Sequence, residues 1–407
     1  MRRAALIAAV GATLASSPAL AAGWDTPILY SAEHMGMGGA AIGFVDDPSA
    51  IVFNPAGLAQ TDGFTLMANA SLLLGSITSS PTATVVDETS AGITAFVPLL
   101  GFSYRFSDMV TAGLAVYPVA SSGATYRYTQ GDGEVDNSTD VLFIEISPSV
   151  AINLPANFRL GLGYRASFVS LARRLEPSLT PLSFAMTGWN WAGLRAGLQW
   201  SNDVVELGFV YRHRTDNEIE DDEAIVVLAD TEVSAKTTLI LPSKLGLGAR
   251  FNVAPLSIVL DAEYTLQSQN DQLVIERDPE LAIVINNVFR WKDSLTLRGG
   301  LEYSLDDTHL LRVGAIYDSQ ATTKKWPSAF GTPPGPTTTV TAGYGFKPDD
   351  APWDLNLALA YRFGSATVTQ ADIEAGLNDE PCQACSKAGN YSLGLFGAYV
   401  DFTYSFL

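Results

Sequence analysis

Strict alternation of apolar and polar residues, sustained over about ten positions at a time, restricts the fold of this chain more than any other feature. In residues 257–267 every second residue from Ile258 to Leu266 is apolar, and most of the positions between them are polar or charged. Segments 295–305 and 354–363 repeat the pattern. A period of two marks a β-strand with one apolar and one polar face. Strands of soluble domains average five or six residues, so these longer ones favour a transmembrane β-barrel, whose strands need roughly 9 to 11.

The composition agrees with a chain that faces lipid. Charged residues make up 16% of the 407 residues, against roughly 25% in ordinary globular proteins, and the mean hydropathy is +0.16. Beyond the first twenty or so residues, no stretch approaches the roughly 18 to 20 consecutive apolar residues of a spanning helix, which excludes a helical membrane protein. The formal charge of −19 argues against a nucleic-acid partner, because phosphate binding depends on clustered Lys and Arg.

The N-terminus has the organisation of a secretory signal peptide. Arg2 and Arg3 are followed by an apolar run over 4–14 and by the small-residue sequence Ala19-Leu20-Ala21. The alternative, an N-terminal anchor helix, is disfavoured because the apolar run is too short to span a bilayer. We therefore expect residues 1–21 to be removed and the mature protein to lie outside the cytoplasm.

Turn signals set the number of strands. Short polar turns fall at 107–108, 155–157, 201–203, 252–255, 306–308 and 347–352, and longer connections near 77–92, 123–140, 173–184, 218–235, 270–283, 321–336 and 368–388. Six turns and seven loops join fourteen strands. The sequence thus predicts an all-β fold: an antiparallel barrel of about fourteen strands over residues 62–407, monomeric, in the outer membrane of a Gram-negative bacterium. A soluble β-sandwich or propeller is the weaker alternative.

Residues 22–61 do not alternate. They are rich in glycine and in turn-forming pairs, yet they contain apolar residues such as Ile42, Phe44 and Phe53. Because these side chains would be exposed to water in a free segment, we expect the segment to fold inside the barrel as a plug.

Two short motifs in this segment carry a family resemblance. The sequence Asp46-Asp47-Pro48-Ser49, followed by Asn54-Pro55-Ala56, resembles the N-terminal hatch of the FadL family of outer-membrane transporters for long-chain fatty acids and hydrocarbons. Motifs at 146–151, 241–248 and 291–303 extend the resemblance over the mature chain. It implies a fourteen-stranded barrel closed by residues 22–61, the hatch segment, and facilitated diffusion of hydrophobic compounds, above all long-chain fatty acids, without a cofactor.

The strand register suggests where a ligand would bind. Nine arginines and seven acidic residues, Asp261 and Asp401 among them, point into the lumen, and most of these charges should pair, because an unpaired charge there is costly. Three arginines on the neighbouring fifth, sixth and seventh strands are the candidates for a fatty-acid carboxylate, which a guanidinium binds through two hydrogen bonds: Arg165, Arg195 and Arg212. The candidates for lining an acyl-chain pocket are Phe53, Tyr117, Phe143, Val210 and Ile316; that these residues simply pack the hatch is equally open.

The resemblance also implies a release route. Ligand would be captured at the outer loops and pass to the lumen, and a shift of the hatch would open a path, with a sideways exit through a kinked third strand as one option. Gly113 and Pro118 lie on that strand. Proline has no backbone N–H to donate to the neighbouring strand, so Pro118 marks either an opening in the wall or the end of the strand.

Rival functions find little support in the sequence. The three histidines, His34, His213 and His309, share no metal-ligand spacing, and no serine suits His213 for hydrolysis, so we expect neither an enzyme nor a metal site. Cys382 and Cys385 in the last outer loop suit a local disulfide better than a redox motif or a two-ligand metal site. A general diffusion porin for small polar solutes is the main alternative, and the hatch motif is what argues against it.

Overall fold

The computed structural model describes residues 30–80, 88–130, 133–176, 182–226, 232–278, 282–331, 333–382 and 385–406. The predicted signal peptide and the start of the hatch segment lie outside the described residues.

Fourteen antiparallel strands close into a barrel in the described part of the chain. Four of them are divided into two segments by a short break. The strands are β1 (Phe64–Ser79), β2 (Thr89–Arg105), β3 (Val110–Gln130), β4 (Gly133–Leu154), β5 (Phe158–Glu176), β6 (Leu182–Ser201), β7 (Val205–Arg212 and Thr215–Val226), β8 (Glu232–Leu241 and Lys244–Val253), β9 (Leu256–Thr265 and Gln272–Asp278), β10 (Ala282–Val288 and Ser294–Ser304), β11 (His309–Asp318), β12 (Thr337–Phe346), β13 (Trp353–Val368) and β14 (Gly389–Phe406).

Each strand pairs with its neighbours in sequence, and the last returns to the first. The closing β1–β14 ladder runs from Phe64 opposite Phe406 to Thr78 opposite Ser392. The predicted barrel of fourteen strands is therefore confirmed. All six predicted short turns fall within or beside the breaks between strands, for example between Leu154 and Phe158.

The first half of the barrel has longer strands than the sequence predicts. β3 and β4 run through 123–140, which was predicted to be a loop, and the pairing continues to Gln130 opposite Gly133. Strands of 21 and 22 residues exceed the roughly 9 to 11 that span a bilayer. Their outer ends project beyond the lipid, where no apolar face is required, so the alternation that identifies a strand is lost. The loop prediction was wrong for that reason.

The apolar alternation faces outward. Leu297, Leu301 and Tyr303 of β10 are each more than 40% exposed, whereas the intervening Arg298 and Glu302 are buried in the barrel. Aromatic rings pair along the rim that carries the short turns, among them Phe158 with Trp200. This belt matches the aromatic girdle of outer-membrane barrels.

Helical structure is sparse. The α-helices are α1 (Ala32–Gly36), α2 (Ala50–Phe53) and α3 (Gln370–Asp379), and the 3-10 helices are Pro55–Gln60, Pro155–Asn157 and Gln267–Gln269. Within the described ranges, no helix has both the length and the hydropathy to cross a bilayer.

The described part of the hatch segment, residues 30–61, packs against the inner wall. Eight strands place a glycine where the main chain of the hatch segment, or the side chain of Asn54 within it, touches the barrel. At Gly208 an added Cβ would lie 2.0 Å from the carbonyl oxygen of Ile42, and at Gly300 it would lie 2.4 Å from that of Met37. The absence of side chains lets the hatch backbone approach the wall backbone directly. These wall glycines are Gly101, Gly161, Gly197, Gly208, Gly248, Gly300, Gly314 and Gly343.

Candidate functional site

Asn54 is the centre of the hatch motif. Its side chain is fully buried, and its Oδ1 accepts the N–H of Ala56 at 3.2 Å, which caps the 3-10 helix that begins at Pro55. Its Nδ2 donates to Ile42 O at 2.8 Å and to Leu198 O of β6 at 3.2 Å. One amide therefore caps a helix, joins two parts of the hatch and fixes both to the wall.

The rest of the motif shapes the hatch backbone. Asp47 Oδ1 accepts the N–H of Ser49 at 2.6 Å and forms the turn that leads into α2. Pro48 packs on the wall glycine Gly101, whereas Asp46 is exposed. These are structural roles, and neither the Asp46–Ser49 motif nor the Asn54–Ala56 motif lines the cavity described below.

Two barrel carboxylates hold the hatch backbone. Asp261 Oδ2 of β9 accepts the N–H groups of Ala41 at 2.8 Å and Ile42 at 3.2 Å. Asp401 Oδ2 of β14 accepts the N–H of Glu33 and the hydroxyl of Ser31, each at 3.1 Å, at the start of α1. Sequence reasoning placed both carboxylates in the lumen but missed this role. For Asp401, the unpaired N–H groups at the beginning of a helix were the available signal.

The side chains of α1 form a charged contact and an aromatic contact. Glu33 pairs with Arg312 of β11 at 3.2 Å. Burial raises the pKa of Glu33, but the charges around it, with Arg312 contributing most, together outweigh that effect and lower the pKa to about 2. His34 lies edge-on to Phe44 and Phe53, and burial, with the charges of Arg312 and Arg250, lowers its pKa to about 4 against the opposing effect of Glu33. His34 is therefore neutral near pH 7.

Three cations stand side by side on the lumen wall. Arg195 of β6 is directly opposite Arg212 of β7, which is directly opposite Lys244 of β8. Like charges in cross-strand pairs destabilise a sheet, so this cationic row needs anions. Glu145 lies 3.7 Å from Arg195 at one end, and Glu263 lies 2.9 Å from Lys244 at the other.

The cationic row borders a cavity of about 80 Å³ between the wall and the hatch, here called the lumen pocket. Four cationic and two acidic side chains line it, together with apolar side chains from the hatch. The lining residues are Tyr30, Gly39, Ile42, Val52, Phe53, Val119, Arg195, Val210, Arg212, Lys244, Asp261, Glu263 and Arg298.

The structure separates the predicted ligand residues into two groups. Arg195, Arg212, Phe53 and Val210 line the lumen pocket. Lys244 also lines it and was missed, although the alternation of the second β8 segment puts it on the same face as Gly246 and Gly248.

The other predicted residues are buried elsewhere in the barrel. Arg165 and Glu145 form an ion pair in which both side chains are fully buried, with Arg165 Nε 2.9 Å from Glu145 Oε1. Tyr117 donates to Glu145 at 2.8 Å and accepts from Arg195 at 3.0 Å, so it positions the edge of the pocket. Phe143 and Ile316 belong to the buried core and are not part of the pocket lining.

The third strand does not end at its proline. β3 continues to Gln130, with a bulge between Pro118 and Ala120, so the strand-end interpretation was wrong. The β2–β3 ladder ends at Leu100 opposite Val116, and the Pro118 carbonyl oxygen accepts the Tyr30 hydroxyl instead. Gly113 leaves room for the hatch segment, because a Cβ added there would lie 3.1 Å from Ile51 Cδ1.

Cys382 and Cys385 are joined by a disulfide in the last outer loop. Their sulfur atoms lie near Asn287 Oδ1 of β10, at 3.6 and 3.7 Å. Among the described residues, no group of three or more His, Cys, Asp or Glu side chains is arranged to hold a metal ion.

Solved structures of other proteins share this architecture. A crystal structure of a Pseudomonas aeruginosa FadL homologue aligns with a TM-score of 0.78 at 16% identity, over 96% of this chain and all of that one. The toluene transporters TbuX of Ralstonia pickettii and TodX of Pseudomonas putida align with TM-scores of 0.69 and 0.67 at 15% and 17% identity, each over 93% of this chain and 98% of theirs. These likenesses establish the fold.

No curated protein sequence matches the chain. The family model described as outer membrane protein transport protein (OMPP1/FadL/TodX) matches residues 12–404, nearly the whole length. The chain therefore belongs to the OMPP1/FadL/TodX family of outer-membrane transport proteins, whose members carry hydrophobic compounds.

Proposed function

We propose that this protein carries long-chain fatty acids, in their carboxylate form, across the outer membrane by facilitated diffusion. The cationic row supports this proposal more than any other observation. Arg195, Arg212 and Lys244 present three positive charges from adjacent strands to a cavity whose opposite side is the apolar Val52 and Phe53. A carboxylate relieves the repulsion within the row and accepts the paired N–H groups of a guanidinium.

The charges also favour a fatty acid over a neutral hydrocarbon. TbuX and TodX are named toluene transporters, and toluene has no group that pairs with a cation. Keeping Arg212 and Lys244 beside each other in a buried site costs stability. A neutral ligand does nothing to offset that cost, whereas an anionic ligand does.

The hatch segment distinguishes this function from that of a general porin. Its backbone is held to the wall by Asp261, Asp401 and Asn54, which leaves little open lumen for ions. In a planar lipid bilayer the intact protein should therefore pass little current. A large, stable conductance from the intact protein would favour the porin function and overturn the transporter proposal.

Release through the wall at β3 is part of this proposal. Beyond Leu100 and Val116 the β2–β3 ladder does not continue, whereas the β1–β2 ladder extends over the full length of β1. Val119, in the bulge after Pro118, lines the lumen pocket together with Tyr30. A hydrophobic ligand that leaves here enters lipid directly and avoids water.

Binding of radiolabelled palmitate to purified protein tests the ligand class. Arg212→Met should weaken palmitate binding at least about tenfold, as expected when a hydrogen bond to a charged group of about 1.5 to 3 kcal/mol is lost. Arg214→Met is the matched control, since Arg214 lies at the break in the same strand, pairs with Asp216 at 2.6 Å and is not part of the pocket lining. Toluene binding should be unchanged in both variants. Equal palmitate affinity in wild type and Arg212→Met would overturn the proposal.

A further inference from the structure

The connection between β11 and β12 is long and largely buried. It runs from residue 319 to residue 336, and its described part, 319–331 and 333–336, forms neither helix nor strand. Within that part only Lys325 and Pro336 are exposed, whereas Trp326 is 8% and Ala329 is 1% exposed. Connections of this length without secondary structure are uncommon and usually functional. Residues 319–331 are here called the outer strap.

The tip of the outer strap contacts the opposite side of the barrel. The Tyr126 hydroxyl of β3 donates to the carbonyl oxygen of Ala329 at 2.6 Å and accepts from Ser79, the last residue of β1, at 2.8 Å. The Phe330 ring lies edge-on to Tyr126, and the Arg173 guanidinium group of β5 lies over that ring, 4.6 Å from its centre. In the ring of fourteen strands, β5 is seven strands from β12. The outer strap therefore bridges the outer mouth.

The last outer loop anchors the outer strap on its own side of the mouth. Trp326 Nε1 donates to the carbonyl oxygen of Glu380 at 3.1 Å. The carbonyl oxygen of Pro327 accepts the N–H of Ser386 at 2.9 Å. Both contacts lie before the tip in sequence, so the contacts of the tip with β3 and β5 decide whether the mouth is bridged.

Arg173 is a cation whose partners are neutral. Its Nη1 donates to Oδ1 of Asn137 and to the carbonyl oxygen atoms of Ser138, at 2.7 Å, and Arg174, at 3.3 Å. Among the described residues, no carboxylate pairs with it. It is directly opposite Thr139, in the part of the wall beyond the lipid, and burial lowers its pKa to about 10. A carboxylate would supply the negative charge that this site lacks.

Apolar side chains continue from the outer strap to the hatch segment. Phe330 packs against a cluster of buried apolar side chains on the inner wall, which includes Phe143 of β4 and Leu171 of β5. Val52 and Phe53, which line the lumen pocket, pack against the same cluster. Contact with apolar surface stabilises an acyl chain relative to water. The outer strap thus covers the outer end of an apolar surface that reaches the lumen pocket.

We propose that the outer strap is a lid over the entrance, that the contact between Phe330 and Arg173 latches it, and that the carboxylate of the transported fatty acid opens it by pairing with Arg173. The proposal rests on the proposed function. The charge of Arg173 attracts the negative face of the Phe330 ring. A carboxylate on the guanidinium group forms the stronger interaction and cancels that charge, so the attraction is lost and the acyl chain replaces the ring on the apolar cluster. A neutral hydrocarbon has no group that does this.

Cysteine accessibility in liposomes tests the lid. Both native cysteines are in a disulfide, so Ala329→Cys supplies a single reactive thiol at a position that is 1% exposed. Its reaction with a membrane-impermeant cationic methanethiosulfonate should be slow, and palmitate should accelerate it at least about fivefold. Hexadecanol, which has the same chain and no carboxylate, should not. Gly331→Cys is the control and should react fast throughout, because a Cβ there meets no atom within 4 Å.

Variants of the latch identify the residue that responds. In Arg173→Gln the Ala329→Cys thiol should react fast without ligand, and palmitate should add nothing. Arg173→Lys retains the charge and should retain both the slow reaction and the response to palmitate. Arg174→Gln is the matched control, since Arg174 is the next residue and is exposed, and it should behave like wild type. Heat-dependent migration in detergent gels verifies that each variant is folded.

Three results are incompatible with the lid. They are a reaction of Ala329→Cys as fast as that of Gly331→Cys without ligand, equal acceleration by hexadecanol and palmitate, and acceleration by palmitate that persists in Arg173→Gln. The binding assay with Arg212→Met separates the two proposals. If that variant weakens palmitate binding while the thiol reaction ignores palmitate, the transport function stands and the lid fails. If its palmitate affinity equals that of wild type, the transport function itself fails.

Discussion

Arg195 donates a hydrogen bond from its guanidinium group to the backbone carbonyl oxygen of Ile51, so a cation of the lumen pocket holds the hatch segment directly. Ile51 lies in α2 and is 1% exposed. A carboxylate that binds Arg195 competes with this carbonyl oxygen for the same donors. Under the proposed function, ligand binding and hatch position are therefore linked through one side chain.

Replacing Arg195 should loosen the hatch. Arg195→Gln removes a hydrogen bond to a charged group, worth about 1.5 to 3 kcal/mol, while Glu145 keeps Arg165 as its partner. We expect the ion conductance in planar bilayers to rise severalfold over wild type. Arg127→Gln, an exposed residue whose partner is Asp136, should leave the conductance unchanged. A conductance of Arg195→Gln as low as that of wild type would show that the contact with Ile51 does not hold the hatch.

The buried pair of Glu145 and Arg165 should matter for stability. Arg165→Met leaves a carboxylate at 0% exposure without its nearest partner, which typically costs about 3 to 5 kcal/mol. The temperature at which the folded form disappears in detergent gels should fall, and the double variant Arg165→Met/Glu145→Gln should recover part of the loss because no unpaired charge remains. A double variant less stable than Arg165→Met would contradict this account.

The membrane-embedded structure follows from the sequence because lipid imposes a regular requirement on it. Outward residues such as Leu297 and Leu301 must be apolar, so alternation reveals both the strand and its register, and with it the inward position of Arg195 and Arg212. Outside the bilayer that requirement ends. The outer parts of β3 and β4 are paired, yet they resemble a loop in sequence.

The inward contacts are less predictable because they depend on which inward residues meet. Alternation points both Arg165 and Arg195 into the lumen, but Glu145 lies closer to Arg165, at 2.9 Å, than to Arg195, at 3.7 Å, and Arg195 also reaches the hatch. The sequence alone does not show why the wall positions must be glycine, because the reason is the hatch backbone that lies against them in the folded barrel. Lys244 could have been found, because its strand alternates as clearly as the others.

The wall glycines should tolerate no side chain where the hatch touches them. At Gly208 a Cβ would lie 2.0 Å from Ile42 O, closer than any ordinary contact, so Gly208→Ala must displace the hatch or the strand. We expect a higher conductance together with a lower unfolding temperature. Gly299→Ala is the control, because the nearest atom there is Leu260 Cδ2 at 3.4 Å. Wild-type behaviour of Gly208→Ala would mean that the hatch is not seated tightly at this position.

Acid should loosen the hatch through His34. This side chain is 1% exposed, and neither ring nitrogen has a hydrogen-bond partner among the described residues. Burial lowers its pKa from 6.5 to about 4, so the unfolded hatch binds the proton more readily than the folded one. The resulting loss of stability begins below about pH 6.5 and grows until about pH 4, where it reaches about 3 kcal/mol.

His34→Phe isolates this effect, since a phenyl ring fits between Phe44 and Phe53 and cannot be protonated. Conductance measured from pH 7 to pH 4.5 should rise in wild type and stay low in His34→Phe. The pair of Glu33 and Arg312 does not interfere in this range, because the pKa of Glu33 is about 2 and its stabilising effect is lost only below about pH 4.5, the ordinary value for glutamate. An equal acid response in both proteins would place the acid-sensitive group elsewhere in the lumen.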